Sequence, residues 1–143
     1  MARLRIVAGV DETDCSMTAL RKALSLAAGL DADLHVVFAS HVPGAMVAAM
    51  GGLPTVSADI GEAQREAVWS RLGSLLESTR ARRVDIEGYP PDALVAYADE
   101  VDADLIIVGS RGRGDFASLL LGSVSHRVVN QAGCDVMVVR KEI

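Results

Sequence analysis

Short apolar runs rich in β-branched residues recur along the chain, each followed by a segment whose apolar positions repeat every three or four residues. The first pattern marks a strand buried on both faces, the second an amphipathic helix. Residues 4–10 form the first predicted strand. Residues 14–28 form a helix with Leu20, Ala23, Leu24 and Ala27 on one side, closed by Gly29. Residues 34–39 are the second strand, and residues 60–80 place Ile60, Ala63, Ala67, Leu72, Leu75 and Leu76 at helical spacing. A third strand at 84–87 turns through Gly88-Tyr89-Pro90-Pro91 into a helix carrying Leu94, Tyr97, Ala98 and Val101. Proline is tolerated early in a helix because its missing N–H would have had no partner there. Residues 105–108 are the fourth strand, 122–131 a helix and 136–139 the fifth strand. The Gly/Ala-rich stretch 41–59, with Pro43 and Pro54, predicts a long loop of the kind that serves as a lid or flap.

Strict alternation of strand and helix places the chain in the α/β class. The expected architecture is a single doubly wound domain, residues 1–143, with a five-stranded parallel sheet in the order 3-2-1-4-5 and helices on both faces. Apolar residues make up 50% of the chain and aromatics 3%, so the core must be built from Val, Leu, Ile and Ala. A formal net charge of −5 argues against nucleic-acid and anionic-membrane partners, which need a basic surface. No apolar stretch approaches a membrane span, and the N-terminal apolar stretch ends at Asp11, too early for a signal peptide. Cys15 and Cys134 show no metal-ligand spacing and read as reduced thiols of a cytoplasmic protein.

In doubly wound sheets, ligands bind beyond the carboxyl ends of the strands where the connections reverse direction, here between strands one and four. Those strands end at Gly9-Val10-Asp11 and Val108-Gly109. The second continues as Gly109-Ser110-Arg111-Gly112, and Gly122-Ser123 follows at the next helix start. Glycines let the backbone approach a phosphate, and N–H groups at a helix start carry partial positive charge toward it.

The spacing G-x2-G-x9-G-[S/T], matched by Gly109, Gly112, Gly122 and Ser123, resembles that of the universal stress proteins, in particular the subgroup that binds ATP. The likeness spans the whole chain, from Val10-Asp11 through Gly88-Tyr89-Pro90 to Val136-Met137-Val138-Val139-Arg140. It implies that Gly9 and Asp11 adjoin the nucleotide and that the backbone of Ala39 meets adenine. It also implies that Val108 and Gly109 flank the ribose and phosphates, and that Gly112, Gly122, Ser123 and Val124 hold the phosphates. Ser125 joins them on its own chemistry, since a hydroxyl can reach a phosphate oxygen.

Two departures from the family pattern bear on the site. Arg111 stands where the family often has His, and its guanidinium can fork onto phosphate oxygens. Glu12-Thr13 replaces a usual Gly-Ser, so two carboxylates either repel an anionic ligand or bind it through Mg²⁺. No residue is assigned as a metal ligand.

Plainer readings stand beside these. Asp11 as the cap of the following turn, Ser123 and Ser125 as ordinary helix-start residues, and Arg111 and Arg113 as solvated loop charges all need no ligand. His35, His41 and His126 share no metal-ligand spacing.

The chain has no G-x4-G-K-[S/T] loop, and its lysines are Lys22 and Lys141, outside the cradle. The expected function is therefore a nucleotide-dependent regulatory or stress-response module with at most slow ATP hydrolysis. One alternative is a nucleotide-independent dimeric partner-binding protein of the same fold. Another is a phosphoacceptor signalling domain, which would need an acceptor Asp beyond strand three, where this chain has Gly88-Tyr89-Pro90. The short apolar strand 136–139 at a sheet edge predicts a homodimer by antiparallel pairing with its copy.

Overall fold

The computed structural model describes residues 2–111 and 121–140. Gly112 of the glycine pattern and Arg113 lie outside the described residues. The elements follow as β1 (Arg5–Val10), α1 (Asp14–Leu30), β2 (Asp33–Ser40), α2 (Gly44–Ala49), α3 (Pro54–Leu76), β3 (Arg82–Glu87), α4 (Pro90–Glu100), β4 (Leu105–Gly109), α5 (Ser123–Gln131) and β5 (Asp135–Val139).

The five strands form one parallel sheet in the order β3-β2-β1-β4-β5, as the alternation predicted. Successive side chains of a strand point to opposite faces, so each strand feeds two apolar layers. Ile6 and Ala8 of β1 and Leu34, Val36 and Phe38 of β2 pack with Leu20 and Ala23 of α1 and Val68 and Leu72 of α3. Val7, Val37 and Ile106 pack on the other face with Leu94, Val95 and Ala98 of α4 and Val128 of α5. Burial on both faces explains why the strands read as continuous apolar runs rather than alternating ones.

The stretch 41–59 is a correction: it is not one long loop. It holds α2 and the first turns of α3, leaving a short connection in which Gly51 (φ 108°) and Gly52 (φ 71°) occupy the left-handed region. The start of α3 escaped the periodicity argument because residues 54–59 show no repeating apolar face, although Pro54 is suited to a first helical position. α2 buries none of its residues. A second correction concerns Gly29. α1 runs through it, and Asp31 takes the left-handed C-cap conformation (φ 51°, ψ 44°) with its N–H bonded to the Ala27 carbonyl.

The two edges of the sheet differ. β3 exposes Arg82, Arg83, Asp85 and Glu87, with the Trp69 indole N–H donating to Asp85 Oδ1 (2.7 Å) and Arg83 lying 5.3 Å from the Trp69 ring. β5 carries half-buried Val136, Met137 and Val138.

Candidate functional site

Connections from β1 run toward β3 on one side, while β4 leads to β5 on the other, so the chain reverses direction between β1 and β4. A cleft of about 780 Å³ opens there, within the range of small-molecule sites. Gly9, Asp11, Ala39, Val108, Gly109, Arg111, Ser123 and Val124, all expected from the sequence, line it together.

The polar end is built at the exit of β1. Thr13 is the N-cap of α1, and it donates to Asp11 Oδ1 through both its backbone N–H (2.8 Å) and its hydroxyl. The Asp11 N–H in turn donates to Ser16 Oγ (2.7 Å). Asp11 is thereby fixed in a turn, so the capping role holds, and its carboxylate still lines the cleft beside Glu12. Arg111 reaches the same space from the exit of β4.

Two of the glycines have structural reasons of their own. A Cβ on Gly109 would sit 3.1 Å from the backbone carbonyl carbon and oxygen of Cys15, so this glycine lets α1 start against the end of β4. A Cβ on Gly9 would lie 2.6 Å from Leu94 Cδ2. Both positions allow the walls to close around the cleft before any ligand is considered.

α5 begins at Gly122, whose φ of −69° and ψ of 168° are extended and which offers no side chain to the helix start. Its N–H donates to the Ser110 carbonyl (2.5 Å). Ser123 and Val124 face the cleft, whereas Gly122 is buried and does not line it. Ser125 departs from the expectation of a phosphate contact: it is buried, and its hydroxyl lies 3.0 Å from the Ser110 carbonyl oxygen and 3.1 Å from that of Gly122.

Sequence reasoning missed the apolar end. Ile60, Ala63 and Ala67 of α3 were legible as one helical face, but that face borders the cleft together with Val37, Phe38, Leu94 and Met46. Gln64 ties this wall to the exit of β2 by donating from Nε2 to the His41 carbonyl (3.3 Å). Tyr89 lines the mouth, held edge-on to His41 (centroids 5.6 Å apart) and 5.2 Å from the Arg127 guanidinium, which pairs with Asp92 (2.9 Å).

The remaining candidate chemistry lies elsewhere. His35 sits below α4 with Nδ1 2.7 Å from Tyr97 Oη, and burial, joined by Arg82, lowers its pKa and keeps the ring neutral. Burial raises the pKa of the Cys134 thiol, with Asp99 adding to it, which works against an activated nucleophile, and Cys15 is buried beside Gly109. Among the described residues, no group of three or more His, Cys, Asp or Glu is placed to hold a metal ion, and no helix is long and apolar enough to cross a membrane.

Fold and cleft together define a doubly wound α/β protein with a ligand crevice at its switch point, acidic and basic at one end and apolar at the other. The chain belongs to the universal stress protein family, whose profile matches residues 3–140. It is 31% identical over 140 residues to universal stress protein MJ0531 of Methanocaldococcus jannaschii, covering 96% of this chain and 82% of that one. Among solved structures, universal stress protein UspA from Lactobacillus plantarum superposes with a TM-score of 0.83 at 22% identity, over 98% of this chain and 100% of the other. A universal stress protein solved in complex with cAMP is 31% identical, with a TM-score of 0.65 over 99% of this chain and 100% of that one.

Proposed function

We propose that the cleft binds ATP and that the protein acts as a nucleotide-dependent regulatory module in stress response. The observation that carries this reading is the meeting of three features in one crevice: the first turn of α5 at Ser123 and Val124, the charged residues Asp11, Glu12 and Arg111, and an apolar wall broad enough for a base. The N–H groups of a first helical turn favour an anion, and Arg111 adds a permanent positive charge. The cAMP complex of a relative supports an adenine nucleotide as the ligand class. Ala39 and Val37 of β2, with Ile60 and Ala63 of α3 lining the same cleft, offer the space for the base.

Asp11 and Glu12 fit Mg²⁺, which is commonly held by one or two carboxylates together with substrate phosphates. Bound there, the ion would offset repulsion between the carboxylates and a triphosphate. No lysine lines the cleft among the described residues, so the nucleotide serves as a regulatory ligand with at most slow hydrolysis. It shifts the protein between conformations through differential affinity. The two free thiols suit a reducing cytoplasm.

Isothermal titration tests this directly. Wild-type protein is expected to bind ATP, and Asp11→Asn, which keeps an oxygen for Thr13 while removing the charge, to lose about tenfold in affinity with Mg²⁺ and much less without it. Absence of ATP binding sinks the assignment. Binding of cAMP alone would remove the triphosphate part of the reading, and equal losses in both conditions would remove the metal.

The reading includes a homodimer through β5. The Ser110 N–H donates to the Val139 carbonyl (2.8 Å), so Val139 faces β4 and, by the period of two, the N–H of Val138 faces the open edge. A two-fold partner strand would pair there. Val138→Pro removes an outward donor without touching the β4 ladder and is expected to convert dimer to monomer in sedimentation at micromolar concentration. A monomeric wild type would refute the dimer, and a dimeric Val138→Pro would move the interface elsewhere.

A further inference from the structure

We propose that Ser125 is a positioning residue for the phosphate end of the cleft, acting as a buried clamp and not as a ligand. This inference rests on the nucleotide reading above. One residue, Ser110, is the hub of the arrangement. The Ser110 N–H donates to the Val139 carbonyl of β5 (2.8 Å), while the Ser110 carbonyl accepts from the Gly122 N–H (2.5 Å) and the Ser125 hydroxyl (3.0 Å). The chain thus leaves the sheet at Ser110 and returns at Gly122 to the same residue. Ser110 is 7% exposed and Ser125 1% exposed, so water does not compete for these bonds.

The Ser125 hydroxyl also lies 3.1 Å from the Gly122 carbonyl, which already receives the His126 N–H (3.0 Å). A hydroxyl has one proton to give, and both of its neighbours here are carbonyl oxygens. The side chain therefore points beneath the helix start, away from the cleft that Ser123 and Val124 line. Its effect is to fix the angle at which the first turn of α5 presents its N–H groups. Gly122 supplies no side-chain cap, so the first-turn N–H groups are not taken up by it, and the clamp from below acts on the carbonyl side alone. Because Ser110 also bonds Val139, the same residue ties the helix start to the end of the edge strand.

The test pairs two measurements on wild type, Ser125→Ala and the near-isosteric Ser125→Cys, whose thiol is a weak donor. Affinities for ATP and for adenosine are measured by titration, and exchange of the Gly122 amide is followed by NMR in the ligand-free proteins. Both variants are expected to lose about tenfold in ATP affinity, to change by less than about twofold toward adenosine, and to exchange the Gly122 amide faster without ligand. A loss of ATP affinity with unchanged exchange would make Ser125 a direct phosphate ligand and overturn the proposal. Faster exchange with unchanged ATP affinity would leave it a purely structural residue and overturn it equally. Wild-type protein that binds neither compound would instead refute the nucleotide reading itself. Should Ser125→Ala unfold, the cysteine variant decides alone.

Discussion

Replacing Gly122 by valine is expected to reduce ATP affinity by at least about 100-fold while the domain stays folded. Gly122 is buried, its N–H is held at 2.5 Å from the Ser110 carbonyl, and the Ser125 hydroxyl lies 3.1 Å from its own carbonyl. An isopropyl group at so buried a position is expected to shift the start of α5. The backbone angles themselves are no obstacle, since φ −69° and ψ 168° suit any residue, so the damage falls on the position of the helix start. Valine is also a poor N-cap, at a cost of about 0.5–2 kcal/mol that a stable domain can absorb. Titration with ATP beside a thermal melt separates the effects: binding equal to wild type would remove the helix start from the site.

Ile107→Ala is expected to cost about 2–5 kcal/mol of folding stability, a large part of the 5–15 kcal/mol typical of a domain. Ile107 has no exposed surface and stands on β4 between β1 and β5, in the layer beneath α1. Its loss opens a cavity that neighbours on three elements must collapse to fill. Leu30→Ala provides the control, because Leu30 is 53% exposed at the end of α1 and its truncation should change stability by less than about 0.5 kcal/mol. Urea denaturation reads both, and a fully buried Ile107 that could be truncated as cheaply as Leu30 would contradict the two-layer core.

The sheet was legible because burial on both faces writes itself into sequence as uninterrupted apolar runs, and 105–108 and 34–39 carry that signature plainly. Order and crossover followed from the alternation of elements. What periodicity could not show was direction within a helical face. Ile60, Ala63 and Ala67 share the spacing of Leu72 and Leu76, yet the first three border the cleft while the latter two lie in the core. Small polar residues hid the start of α3, and Gly29 imitated a C-cap that Asp31 supplies. The glycine pattern drew attention to the right place partly for a different reason, since Gly109 and Gly9 are also favoured by the close approach of Cys15 and Leu94. Ser125 illustrates the remaining limit. Its hydroxyl type is visible in sequence, but which carbonyl it serves depends on where the chain returns to the sheet.

The contrast between the two sheet edges bears on how large an assembly can grow. An edge like β5, with its apolar residues, invites a second strand, and a sheet with two such edges would add subunits without end. β3 interrupts that sequence of additions: Arg82, Arg83, Asp85 and Glu87 would each have to give up water against an incoming backbone, and Asp85 and Arg83 are already engaged with Trp69. Under the proposed pairing, two copies joined through β5 would present only these blunt outer strands, and the ten-stranded sheet would end there instead of propagating as a fibre.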